Sequence, residues 1–253
     1  MTSDRGGCVA VEEREIQSVW TRPQRRRRDQ PALSREQIVA EAVALLDAEG
    51  VAALSMRKLG AKLNAGATSL YTHVANKDEL IELVTDEVLG ELPTMTVPDP
   101  SQWRSATMEL AKELRATILR HPWLASVLGE IGTVYLGPNM MRVSDSVLET
   151  FEAAGFDMAG ADHAMNVVFS YVLGNALAEA ASVVVIARSG VDEEEWMRRV
   201  FPAAEAAARP YPTVHKRYTS SQDPAWSAKS RDESFAHELG LILNGIDPAA
   251  GNR

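Results

Sequence analysis

In the stretch Ser55-Met-Arg-Lys-Leu-Gly-Ala-Lys-Leu-Asn-Ala-Gly-Ala-Thr-Ser-Leu-Tyr-Thr-His-Val74, apolar side chains recur at helical spacing on both sides of a short break. Met56, Leu59 and Leu63 define the inner side of a first short helix, and Asn64-Ala-Gly66 interrupts it. Leu70 and Val74, four apart, define the inner side of a second helix of two turns at most. Ala61 and Gly66 are small enough to let the two helices meet closely. Two short helices joined by a tight turn make a helix-turn-helix, whose second helix lies in the DNA major groove. On spacing alone a surface helical hairpin is the lesser alternative. The outward side chains of the second helix are Thr68, Ser69, Tyr71, Thr72 and His73. They offer short donors and acceptors, two aromatic tips and a threonine methyl, all suited to phosphates and base edges. Lys77 stands in the first turn of the next helix, where its ammonium and the helix N-terminus both attract phosphate.

Outward from this stretch the chain stays helical. Upstream, Ser34 with Gln37 forms a capping box, Ile38, Ala42, Leu45 and Leu46 share a face, and Gly50 closes the helix. Downstream, Asn76 with Glu79 opens a helix that runs to about Leu89, and Pro93, Pro98 and Pro100 then interrupt the chain. Helical periodicity resumes from Trp103 to Leu119, turns at His121-Pro122 and continues to Leu128. Gly137-Pro138 starts another helix that ends at Gly155, and Gly160 to Ala187 reads as one long, nearly all-apolar helix. Weaker candidates run from Asp192 to Ala207 and from Glu233 to Leu243, with a loop expected around 208–230. No alternating strand pattern occurs. The expected fold is all-α: a flexible basic arm over 1–31, a three-helix helix-turn-helix domain over 32–92, and a larger helical domain over 93–253.

The charge balance supports this division. The 253 residues carry 26 Lys+Arg and 35 Asp+Glu, a net charge of −9. Residues 22–77 alone have ten basic and five acidic side chains, whereas 78–253 have fourteen and twenty-six. A basic front on an acidic body separates a nucleic-acid module from the rest. The arginine run at 25–28 suits either a minor-groove arm or a nonspecific anchor. The single cysteine, Cys8, fits a reducing cytoplasm, and the first residues have no apolar signal core. The stretch from Met165 to Ala187 is long enough to span a bilayer. Its Asn175 and Glu179 favour a helix buried in a core or a subunit interface, so no membrane is expected.

Leu54 to Leu63, then Ser69-Leu-Tyr-Thr-His-Val74, then Asn76-Lys-Asp-Glu-Leu80 resemble the N-terminal DNA-binding domain of the TetR family of transcriptional repressors. The resemblance runs from about Ser34 to Leu92. Val134-Tyr-Leu-Gly-Pro138, Phe151-Glu-Ala-Ala-Gly155 and Tyr171-Val-Leu-Gly174 are similar to the C-terminal domain of the tetracycline-repressor branch. The resemblance implies a homodimer that reads a palindromic operator in double-stranded DNA and is released by a small-molecule effector. It places Ala67, Thr68, Ser69, Tyr71, Thr72 and His73 toward the groove, Met56 and Arg57 at the DNA from the start of the second helix, and Lys77 on a phosphate. Ala67 and Thr72 stand where the tetracycline repressor has Gln and Trp, which implies a different base preference. Tyr135 aligns with the histidine that holds that repressor's drug-bound metal, so magnesium–tetracycline is not the expected ligand.

Other chemistry is not supported. There is no Gly-rich phosphate loop, zinc-spaced Cys/His set or Gly-x-Ser-x-Gly elbow, so neither an enzyme nor a cofactor or metal is expected. Glu233 and His237 read as a surface ion pair, and Trp103, Trp123, Met165, Phe169 and Tyr171 as core. An activator or a ligand-independent DNA-binding protein remains compatible with the same head.

Overall fold

A computed structural model describes residues 33–131, 137–220 and 228–248. The arginine run, Cys8 and Tyr135 lie outside these residues. Eleven α-helices and no strand occur among the described residues. The head contains α1 (Arg35–Glu49), α2 (Met56–Lys62), α3 (Ala67–Leu70) and α4 (Lys77–Leu89). The body contains α5 (Trp103–Arg120), α6 (Trp123–Ile131), α7 (Pro138–Ala153), α8 (Met158–Ser189), α9 (Glu193–Ala208), α10 (Pro212–Ser220) and α11 (Ala228–Gly245).

Local chemistry sets the helix ends. The Ser34 hydroxyl accepts from the Gln37 amide while the Gln37 side chain accepts from the Ser34 amide, the reciprocal box its spacing predicts. Gly50 ends α1 at φ 76°, a conformation that favours glycine. Asn76 caps α4 by accepting from the Glu79 amide, but the Glu79 carboxylate reaches one residue further back, to the amide of Ala75. Asp157 and Asp192 cap α8 and α9.

The head core joins Ile38, Leu45, Leu46, Leu59, Leu70 and Leu80, all essentially inaccessible to solvent. Each contributes about 1.5–3 kcal/mol through removal of its side chain from water. The packing does not break at residue 92: the same cluster runs on into Trp123, Leu124 and Leu128 of α6. Two of the polar ties that lock the head to the body start from α1 and α4. Asp47 of α1 accepts from the Trp123 indole at 2.7 Å and lies 2.7 Å from His121 Nδ1, while Asp86 of α4 accepts from the start of α7.

A second core packs α5, α7, α8 and α11 around Trp103, Phe151 and Phe156, whose rings meet edge-on or tilted at 5.1–5.6 Å. Glu179 is not a lone charge on an apolar helix. It receives two hydrogen bonds from Arg115 of α5, at 2.6 and 2.9 Å, and Arg115 also donates to Asp232 of α11.

Three expectations need correction. Residues 212–220, read as loop, form α10, because Pro212 occupies a first helical position where its missing N–H costs nothing. Ala61 is exposed and a Cβ on Gly66 would meet nothing within 4 Å, so neither mediates a close helix approach. Glu233 and His237 are both exposed and form no ion pair with each other. The long helix begins and ends within two residues of the expected bounds, but only its first half is core: Ala161, Ala164, Val168, Val172 and Ala176 are buried.

Candidate nucleic-acid interface and ligand cavity

The hydroxyl of Ser55 caps α2 by accepting from the Lys58 amide. Asn64, at φ 50°, reverses the chain after α2; asparagine tolerates that left-handed conformation better than most residues. The Ala65 amide donates to the Gly60 carbonyl at 2.8 Å and closes the turn. The second helix is shorter than expected, one α-helical turn from Ala67 to Leu70. Hydrogen bonds from Thr72 to Ser69 and from His73 to Leu70 then tighten it. Leu70 and Val74 are buried at 0% and 1% exposure and pin this unit to the head core.

Thr68, Ser69, Tyr71 and Thr72 are exposed together on the outer side, as the sequence predicts, with Tyr71 half accessible. Thr72 donates its hydroxyl proton to the Ser69 carbonyl at 2.7 Å. His73 is only half-exposed, and its carbonyl accepts from the Arg35 guanidinium at 3.2 Å. That bond ties the end of the recognition unit to α1, and sequence spacing alone gave no signal for it. Ala67 opens the helix.

The cations differ. Lys58 and Lys62 pair with Glu49 and Glu41, whereas exposed Arg57 has no carboxylate partner among the described residues. Lys77 is half-buried, and its ammonium donates to the Val51 carbonyl at 3.3 Å, leaving two protons uncommitted by that bond. Met56 is 8% exposed within the head core. Its side chain follows the inward reading, and only its backbone, at the N-terminus of α2, remains suited to DNA.

A cavity of about 80 Å³ lies at the other end of α4, between Leu89 and Leu92, Leu110 and Leu114 of α5, Met140 and Val143 of α7, and Met165 and Phe169 of α8. Of the five side chains read as core, some of which must line any ligand pocket, Met165 and Phe169 are the two that line this one. Only Thr107 and Ser144 bring hydroxyls to its wall, and Thr107 donates its proton to the Trp103 carbonyl at 2.7 Å. No charged side chain lines the cavity, and among the described residues no group of three or more His, Cys, Asp or Glu side chains is placed to hold a metal. Its chemistry suits an uncharged, largely apolar molecule. Beside it, burial pushes the Asp86 carboxyl above its ordinary range, opposed by hydrogen bonds from Met140 and Asn139.

Residues 97–249 match the family described as "Tetracyclin repressor-like, C-terminal domain", and residues 38–84 match "Bacterial regulatory proteins, tetR family". An HTH-type transcriptional regulator of Saccharopolyspora erythraea is 41% identical over 163 residues, which is 64% of this chain and 68% of that protein. The HTH-type transcriptional repressor DrrR1 of Streptomyces coeruleorubidus is 29% identical over 95% of this chain and 87% of its own. The crystal structure of the Streptomyces coelicolor TetR family protein ActR in complex with actinorhodin superposes with a TM-score of 0.71 at 30% identity, covering 86% of this chain and 96% of that one. With both family descriptions matched along a chain that folds into a helix-turn-helix head and a helical body, this protein belongs to the TetR family of DNA-binding transcriptional regulators.

Proposed function

We propose that the protein is a homodimeric repressor that reads a palindromic operator and leaves it when an uncharged, apolar small molecule fills the cavity. The observation that carries this reading is the double use of α4. Its N-terminal turn, with Asn76 and Lys77, borders the recognition unit, and its last turn, with Leu89, lines the cavity. A ligand that favours one position of α4 then favours one position of the head, and weakens DNA binding by its differential affinity for the two. DrrR1, named a repressor, and ActR, solved in complex with actinorhodin, support a repressor that responds to a small molecule.

In this reading Ala67, Thr68, Ser69, Tyr71, Thr72 and His73 face the major groove, while Arg57, the Met56 backbone and Lys77 meet phosphates. Two copies join through α8 and α11, whose Leu177, Val183, Val184, Val185 and Leu241 are exposed among the described residues. Two recognition helices about 34–36 Å apart then match one turn of DNA. The regulator acts in the cytoplasm.

The test selects a palindromic duplex from a random pool, then titrates binding against salt and against N-phenyl-1-naphthylamine, a neutral apolar fluorophore. The fluorophore is expected to bind and to lower duplex affinity. Arg57→Ala and Lys77→Ala are each expected to reduce the salt slope by about one unit. Selection of no duplex at low salt overturns the DNA-reading assignment. Unaltered slopes remove these two phosphate contacts.

A further inference from the structure

We propose that Asp86 is the positioning residue through which occupancy of the cavity reaches the head, an inference that rests on the cavity being the effector site. Asp86 sits in the last turn of α4, only 3% exposed. Its Oδ1 accepts from the backbone amides of Asn139 at 3.0 Å and Met140 at 3.2 Å, and its Oδ2 from the Asn139 side chain at 3.1 Å. The Asn139 side-chain amide also donates to the Asp86 carbonyl at 3.0 Å. Gly137, the residue before α7, makes no side-chain cap. The first free amides of α7 are therefore capped by a carboxylate from another helix, where an anion meets the positive end of the helix dipole.

The position of this cap sets its role. Met140, which donates to Asp86, lines the cavity, and so does Leu89, one turn beyond Asp86 on α4. A molecule wedged between Leu89 and Met140 therefore acts directly on the joint that Asp86 closes. The joint has little slack. A Cβ on Gly90 would lie 3.0 Å from the Asn139 side-chain nitrogen, so glycine at the end of α4 leaves the room in which Asn139 reaches it. Partial release is unfavourable. A carboxylate this buried keeps its charge only while its N–H donors stay in place, so loosening the joint leaves it without the partners that offset its burial.

The second head-to-body tie provides the contrast. Asp47 binds Trp123 and His121 on the α1 side, and none of these three residues lines the cavity. That tie holds the head without sensing the ligand.

Hydrogen exchange of the full chain, with and without saturating N-phenyl-1-naphthylamine, separates the two ties. In the wild type the probe is expected to change exchange of the α1–α4 amides by about threefold or more, the response of a locally opening unit. In Asp86→Asn the side chain keeps one acceptor and turns an amide toward the Asn139 amide. That variant is expected to bind the probe within about twofold of wild type and to lose the head response. Trp123→Phe is expected to alter exchange in the ligand-free head while preserving the response to the probe. If Asp86→Asn does not fold, Asn139→Ala removes only the side-chain half of the joint and should weaken the response partway. A full head response in whichever of these two variants is folded overturns the proposal, as does loss of the response in Trp123→Phe. Absence of probe binding in the wild type overturns the cavity assignment instead, so the two failures are distinguishable.

Discussion

The head and the far half of α8 use similar apolar residues in opposite ways. In the head, Ile38, Leu45, Leu59, Leu70 and Leu80 are all at 0% exposure, and one chain supplies every partner they need. Along α8, Ala161 to Ala176 are buried at helical spacing, but Leu177, Val183, Val184 and Val185 are 45–53% exposed. The helix is long and apolar enough to cross a membrane, yet its first half carries a protein core. On the dimer reading, this exposed apolar half of α8 is where a second copy packs. The head is complete in one copy, and the body, on the dimer reading, is finished by a second.

The largest expected effect breaks the body's side of this contrast. Leu177 and Val184 are seven residues apart and so share one stripe of α8. Replacing both with Asp is expected to give a monomer by sedimentation velocity and to weaken operator binding by about 100-fold or more, because central interface residues carry most of the association energy. A variant that stays dimeric at micromolar concentration would show that this stripe is not the interface.

The head's side breaks next. Leu59→Ala leaves a cavity in a core that has no second copy to compensate, at a cost of about 2–5 kcal/mol. Thermal unfolding should shift to lower temperature as a single transition, because the head core continues into Trp123, Leu124 and Leu128. A biphasic melt with the head first would mean that head and body unfold separately despite those contacts. Smaller again is Tyr71→Ala on the outer face. It is expected to weaken operator binding by about 1–3 kcal/mol if the ring reaches a base edge, with no change in melting temperature.

The same contrast explains what was legible in the sequence. The head could be read because its signals are local: Ser34 with Gln37 and Asn76 before Glu79 are caps three residues long. α8 was legible as a long apolar helix buried in a core or a subunit interface, but which half packs within the protomer was not, because sequence does not say what a helix packs against. α10 was missed because prolines near a polar segment read as loop unless the first-turn exception is applied. Met56 drew two readings, inward and DNA-facing, and only packing separates them. The cavity and the Asp86 joint had no sequence signal. The joint unites residues 53 and 54 positions apart, and the cavity exists only where four helices fail to fill the space between them.

The smallest effect concerns the end of α4, where the head passes into the body. The Glu91 carboxyl accepts from Arg120 at 2.7 Å, and chiefly this bond, with a further contribution from His121, holds it below its ordinary range. A carboxyl depressed on folding stabilises the folded state above its unfolded pKa, and that contribution disappears as the pH falls through the folded value. Glu91→Gln should therefore melt below wild type at pH 7, and the two should converge as the pH drops below 4.5, the ordinary value. Glu91 is 41% exposed, so solvent screening limits its contribution to under about 1 kcal/mol. For a chain this long that corresponds to a shift of about 2–4 °C at most. Asp86, four residues before Gly90, has the opposite sign: burial raises its carboxyl, so its charge opposes folding more as the pH rises through that range. A calorimetric difference between wild type and Glu91→Gln that stays constant from pH 7 to pH 4 would show that the Arg120 contact contributes packing alone. The head-to-body passage would then be held by Asp47 and Asp86 without an electrostatic contribution from Glu91.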